Sequence, residues 1–284
     1  TYQDITARKE AGEQLQKSQW RLKNVTDTTG LGVWEWNVKT DEVILDELWV
    51  KMIGYTLAEL APICYDTWKN LVHPDDFAEA NRLLRQVAHG QQPSFVSQYR
   101  MKHKNGSWVW ISDQGSVFEY GKDGKPLVLV GSHQDITARK EAEALQAYNR
   151  EFEHLIASLS NRFINVGLSD IDTVINETLQ SIGEFVCADR SYIFEFYDNM
   201  QMISNTYEWC VEGVEPQISR LPQMSTKELP WFMRQICRDA VIIPSIDELP
   251  EEAKVERELM IEQSIQSLVL VPLAAESVPM GFIG

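Results

Sequence analysis

Long apolar runs are missing from this 284-residue chain. No stretch reaches the ~18 apolar residues of a membrane-spanning helix, and no secretory leader is legible, so direct membrane contact is not expected. Basic residues are scarce. Against 42 Asp and Glu there are 26 Lys and Arg, a net charge of −16. The acids are spread along the chain, which disfavours a grip on phosphate backbones or anionic lipid and excludes nucleic acid as the expected partner. Paired cysteines are missing too. Cys64, Cys187, Cys210 and Cys237 stand far apart with no C-x-x-C among them, so neither a zinc knuckle nor a dithiol redox site is readable, and buried thiols in a cytoplasmic setting are expected. No phosphate-cradling Gly loop, nucleophile elbow or pair of carboxylates stands in a catalytic context. The 44% hydrophobic content rules out disorder and, with the length, predicts two cores.

The nine residues Gln-Asp-Ile-Thr-Ala-Arg-Lys-Glu-Ala occur at 3–11 and again at 134–142. A period of about 130 residues is too long for a solenoid and indicates whole domains joined by similar connectors. Thr1 stands in place of an initiator Met and Phe282-Ile283-Gly284 break off within an apolar run, so the expectation is a piece of a longer array.

Ala11, Leu15, Ser18, Leu22 and Val25 form a helical stripe ahead of Gly30. Trp34, Trp36 and Val38 then alternate with polar residues as a half-buried strand, with a second short strand at 43–45 and helical turns over 48–55 and 57–60. His73-Pro74-Asp75-Asp76 reads as a helix start, with Phe77, Ala80, Leu84 and Val87 on one face and Gly90 as the stop. Two long strands joined at Asn105-Gly106 and a third after Asp123-Gly124 complete a meander. From Ala138 the spacing changes. Ala138, Ala142, Leu145, Asn149, Phe152, Ile156, Leu159 and Phe163 keep a heptad seam, for which a homodimeric coiled coil is the natural partner and packing on the chain's own domain the alternative. Beyond it a helix over 171–186, strands over 190–197 and 202–210, a helix from Pro230, a short strand at 241–243, a charged helix over 251–263 and a closing strand pair predict a second sheet with helices on one side. The fold class is α+β throughout.

Residues 21–137 resemble a PAS domain ending in a PAC segment. The resemblance rests on Gly32-Val33-Trp34-Glu35-Trp36-Asn37, Gly54-Tyr55, His73-Pro74-Asp75-Asp76, Tyr99-Arg100, Lys104-Asn105-Gly106-Ser107-Trp108-Val109-Trp110-Ile111 and Asp135-Ile136-Thr137. Positions 150–284 resemble a GAF domain through Phe163-Ile164-Asn165, Ala188-Asp189-Arg190-Ser191-Tyr192-Ile193-Phe194, Ser204 to Cys210 and Ser267 to Leu273. These resemblances imply an exit segment of a preceding PAS domain and connector over 1–20, a PAS domain over 21–137, a connector helix over 138–165, and a C-terminally truncated GAF domain over 166–284. They also imply a sensory input region of a histidine kinase or a diguanylate cyclase, sensing a small molecule, light or redox state, with a ligand-free interaction scaffold as the alternative.

Trp34, Trp36 and Tyr55 in the first unit, and Trp209 and Cys210 in the second, are the candidate pocket residues, as aromatic faces suited to a flat ligand or as plain core. Asp135, Ile136 and Thr137 are the candidate signal linkage, with Asp135 or Thr137 as helix cap. The cofactor is left unknown, with none as one outcome. Cys64 lacks an Asn-Cys-Arg-like flavin context. His73 and His89, the available axial haem ligands, are accounted for by helix ends. Cys210 and Cys237 lack the following His of a bilin site, and the Asn-Lys-x-Phe-Asp-Glu motif of cyclic-nucleotide binders is absent. His154 lacks the surroundings of a phosphoacceptor, and Glu143-Ala144-Leu145 sits inside the connector helix without its domain. No catalytic residue and no metal ligand are expected.

Overall fold

The computed structural model describes residues 28–167, 169–219, 223–236, 239–275 and 278–284 without interruption, and before them positions 9, 10, 13, 14, 16, 17, 20, 24 and 26. The described positions ahead of Gly30 are helical, but the predicted stripe Ala11, Leu15, Ser18, Leu22 and Val25 lies outside the described residues, as do most of 3–11 and Cys237. The chain divides into two compact units, Thr1–Asn149 and Arg150–Gly284.

In the first unit, β1 (Leu31–Asn37) and β2 (Val43–Leu45) precede four helices: α1 (Glu47–Met52), α2 (Leu57–Leu60), α3 (Tyr65–Leu71) and α4 (Pro74–Ala88). The strands β3 (Ser94–Lys102), β4 (Trp108–Tyr120) and β5 (Pro126–Asp135) follow, in an antiparallel sheet of order β2-β1-β5-β4-β3. Period-two alternation buries Trp34 and Trp36 of β1 and Phe95, Tyr99 and Met101 of β3 on the core side, against Val50, Ile53, Leu84 and Val87 of the helices. Two strand glycines make room for one ring. Gly115 and Gly131 are cross-strand partners, and a Cβ at Gly131 would lie 2.3 Å from Trp34 Cζ2. Helix α4 starts as the sequence predicts, with His73 Nδ1 accepting from Asp75 N at 3.2 Å and Pro74 in the first turn. It ends at Gly90, whose φ of +72° suits a residue without a side chain. The turn at Asn105-Gly106 is wider than a two-residue hairpin: His103 N donates to Ser107 O at 2.8 Å, closing a loop that spans His103 to Ser107.

Helix α5 (Thr137–Ile164) carries the heptad seam. The second unit continues with α6 (Ile171–Val186), β6 (Arg190–Tyr197), β7 (Met202–Cys210), β8 (Met224–Ser225), α7 (Pro230–Ile236), β9 (Val241–Ile243), α8 (Lys254–Glu262), β10 (Leu268–Ala275) and β11 (Val278–Ile283). The sheet order is β8-β7-β6-β11-β10-β9. Helices cover both faces of this sheet, which corrects the one-sided expectation. Ser191 Oγ donates to Leu179 O of α6 at 2.7 Å, and Gly183 lets the Trp209 ring close on the same helix. One residue along, Tyr192 and Phe194 point the other way and pack with Phe232 and Ile236 of α7 and Met260 of α8.

Candidate functional site

Between sheet and helices of the first unit lies a cavity of about 50 Å³, walled by the five aromatic rings of Trp34, Trp36, Trp49, Tyr65 and Trp68 and by the polar pair Asp113 and His133. Space of that size holds a few waters or a molecule of a few heavy atoms. Asp113 and His133 face each other across β4 and β5 and are 4% and 3% exposed. A buried carboxylate must be bonded or it destabilises the fold, and this one is. Trp34 Nε1 donates to Asp113 Oδ1 at 2.9 Å and the Tyr99 hydroxyl donates to Oδ2 at 2.9 Å. Trp68 Nε1 donates to the Tyr99 oxygen at 2.9 Å. Tyr99 has a single hydroxyl hydrogen, already given to Asp113, so its 3.0 Å contact with His133 Nε2 places a hydrogen on that ring nitrogen. The same Nε2 is 3.3 Å from Asp113 Oδ1. Burial, and then the Asp113 charge, hold the Tyr99 phenol well above its ordinary value. Trp49 Nε1 is the exception among these groups: it is buried and has no hydrogen-bond partner.

Of the sequence candidates, Trp34 and Trp36 line this cavity. Tyr55 does not; it packs against the core, with Lys104 Nζ 5.9 Å from its ring centroid. Sequence reading missed Tyr99, Asp113 and His133 as site residues. Their signal was parity: Asp113 shares its face with Val109, Ile111 and Gly115, and His133 with Leu129 and Gly131, which places a carboxylate and an imidazole on the apolar side of their strands. His73 and His89 are helix-end residues, and neither is among the cavity's lining.

The three linkage residues sit two positions beyond this pair. Ile111 faces Asp135 in the same register that pairs Asp113 with His133. Ile136 N donates to Trp110 O at 2.8 Å, and Trp110 N donates to Thr137 Oγ1 at 3.0 Å. Asp135 Oδ1 accepts from Thr137 N at 2.8 Å, so Asp135 satisfies the first helical N–H while Thr137 ties the helix to β4. Two cations rest over the Trp110 ring, Arg100 at 5.5 Å and Lys140 of α5 at 5.4 Å. Arg100 is itself held bidentately by Asp76, at 2.8 Å from each oxygen. Those bonds keep the Asp76 carboxyl below its ordinary range. The acid that reads as a helix-dipole partner in the sequence thus also braces the exit.

The second unit has its own cavity of about 50 Å³, lined by residues that include Arg190, Asn205, Glu208, Gln217 and Phe232. Glu208 Oε2 accepts from the backbone of Gln217 and Ile218, each at 2.7 Å, while Arg190 Nε stands 3.4 Å from Oε1. Trp209 and Cys210 are not in its lining: Trp209 packs on α6 and Cys210 pairs with Arg190 across the strands. Burial raises the Cys210 thiol, which leaves it protonated near neutrality and a poor nucleophile. Among the described residues no group of three His, Cys, Asp or Glu is arranged to hold a metal ion.

Residues 42–133 match the family model described as the PAS fold. The methanogenesis regulatory histidine kinase FilI of Methanothrix harundinacea is 35% identical over 166 residues, covering 57% of this chain and 18% of that protein. A blue-light-activated histidine kinase of Brucella anthropi is 26% identical over 167 residues, covering 58% of this chain and 31% of that one. The chain thus spans less than a third of these relatives. A solved sensory box histidine kinase/response regulator from Burkholderia thailandensis is 28% identical at TM-score 0.41 over 47% of this chain and 98% of the other. The chromophore binding domain of a Stigmatella aurantiaca phytochrome aligns with 90% of this chain and 84% of its own, at 13% identity and TM-score 0.41.

Proposed function

We propose that this chain is a sensory and dimerising input region of a signal-transduction protein. A small molecule in the first unit's cavity biases the connector helix and, through it, a downstream effector, for which a histidine kinase is preferred to a diguanylate cyclase. The observation that carries the reading is positional. The polar pair in the cavity wall, Asp113 and His133, lies on the same two strands as Trp110 and Asp135, which hold the start of α5 and stand three and two residues away. A ligand acts only by binding one arrangement of the exit more tightly than the other, and a coupling of about 1–3 kcal/mol is the usual size for such a link. The histidine kinases among the relatives support the choice of effector.

Homodimerisation through α5 is part of the proposal. Leu145, Phe152, Ile156 and Phe163 of the predicted seam are exposed in the single chain, whereas Leu159 is buried. The rear of the helix also packs within the second unit, with the Phe152 and Phe185 rings 6.0 Å apart, so the front of the seam offers the freer surface. No helix of the described residues is long and apolar enough to cross a membrane, and a cytoplasmic setting is proposed. No turnover is proposed for these residues themselves, which assays with ATP and GTP check.

The small cavity favours one rival, a ligand-free scaffold that only assembles dimers. Native mass spectrometry and absorption of the purified chain separate the two. A co-purifying small molecule or visible band, lost when Trp36 is replaced by Leu, is expected for the sensor; a ligand-free chain whose connector ignores every cavity substitution contradicts it.

A further inference from the structure

The chemistry of the cavity wall is unusual for an apolar pocket, because four indoles and a phenol surround a space whose one anionic group is the buried Asp113 carboxylate. Indole faces carry negative electrostatic potential and are the best aromatic partners for a cation. Two uncharged donors reach Asp113, from Trp34 and Tyr99, while His133 Nε2 stands 3.3 Å from Oδ1. The wall therefore holds a carboxylate away from water among aromatic rings, a setting that favours a compensating cation. The rings already accept one: Arg85 of α4 lies 4.7 Å from the Tyr65 centroid and 5.7 Å from that of Trp36. Trp49, one of the lining indoles, has a buried Nε1 without a hydrogen-bond partner. The acidic chain, at −16, raises the local concentration of cations at its surface.

We propose that the cavity of the first unit is an aromatic cage for a small methylated ammonium group, with Asp113 as the counter-charge and the Trp36, Tyr65 and Trp68 rings as its walls. The inference rests on the sensing reading above and specifies its ligand class. The volume limits the caged part to a headgroup of a few heavy atoms, so a longer ligand projects its remainder outward.

The test titrates the full chain with choline chloride and, separately, with the uncharged carbon isostere of choline, at constant ionic strength, by calorimetry and tryptophan fluorescence. Choline is expected to bind about tenfold more tightly than the isostere, because the two differ in charge and hardly in shape. Asp113→Asn keeps the size of the side chain and removes the charge, and it is expected to shrink that preference to less than about threefold. Trp36→Leu, with Asp113 intact, is expected to weaken choline more than the isostere. Near-UV circular dichroism verifies that each variant retains its packing. Equal or tighter binding of the isostere overturns the cage while leaving a sensing cavity in place. Failure of both compounds to bind the folded wild-type chain overturns the cage, and the sensing reading is then judged on its own co-purification and connector tests.

Discussion

Tyr99 is the residue on which the buried network closes, since its single hydroxyl donates to Asp113 and receives Trp68 and His133. Tyr99→Phe removes a donor from a buried carboxylate and an acceptor from the half-buried Trp68 indole, so a loss of about 1–3 kcal/mol in the first unit is expected from urea unfolding. The second unit offers a pH test. The Tyr207 hydroxyl donates to Asp172 at 2.5 Å, and this bond, ahead of burial and neighbouring carboxylates, pushes the phenol up to about 12. A phenol raised in the folded state stabilises fully below its unfolded value of about 10, and that contribution is lost as pH climbs from there toward 12. Tyr207→Phe is therefore expected to flatten the alkaline loss of stability of this unit over that window, measured by denaturant titrations at several pH values. What was legible at this scale was two of the five rings of the cavity wall: Trp34 and Trp36 announce themselves by alternation, whereas Asp113 and His133 look like ordinary polar strand residues until sheet pairing brings them face to face.

Among the elements, those with strong period and clear ends were readable. Helix α6 and strands β6, β7 and β9 match their expected bounds, and the His73 cap places α4. Helix α3 was not readable. Its cap is Cys64, whose N–H donates to Thr67 Oγ1 at 3.1 Å, instead of a Ser, Asp or Asn, and its short run is filled with aromatics that belong to the cavity wall. The glycine slot for Trp34 also needs the third dimension, because 115 and 131 meet only in the sheet. Gly131→Ala would drive a methyl into the Trp34 ring and Gln114 O, and overpacking of about 1–3 kcal/mol is expected, with Gly124→Ala, where no atom stands within 4 Å, as the comparison for the simple cost of positive φ. At the exit, Thr137→Val keeps the side-chain shape but removes the oxygen that accepts from Trp110 N. Faster hydrogen exchange at the start of α5, equivalent to about 1 kcal/mol, is expected, with the sheet core unchanged.

On the scale of the whole molecule, the repeat and the heptad seam suggest a modular plan, and the sheet adds what the pattern could not: Asp113 and His133 stand on the two strands that also carry Trp110 and Asp135. The rear of the seam illustrates the limit, since its spacing says that one face is apolar but not that Phe152 meets Phe185 of the chain's own next helix. Leu145 belongs to the part of the seam that its own unit leaves open, at 61% exposed. Leu145→Glu is expected to weaken self-association about tenfold or more in sedimentation velocity, since a charge at a coiled-coil core position must be desolvated. The account stands on the claim that the state of the cavity is felt at the connector. Its most direct test is hydrogen exchange of the full chain, wild type against Asp113→Asn, read over 137–149. The account predicts altered exchange in that segment together with β4 and β5, while the second unit's strands stay as they were. A change confined to the cavity walls, with 137–149 exchanging as in the wild type, would contradict it.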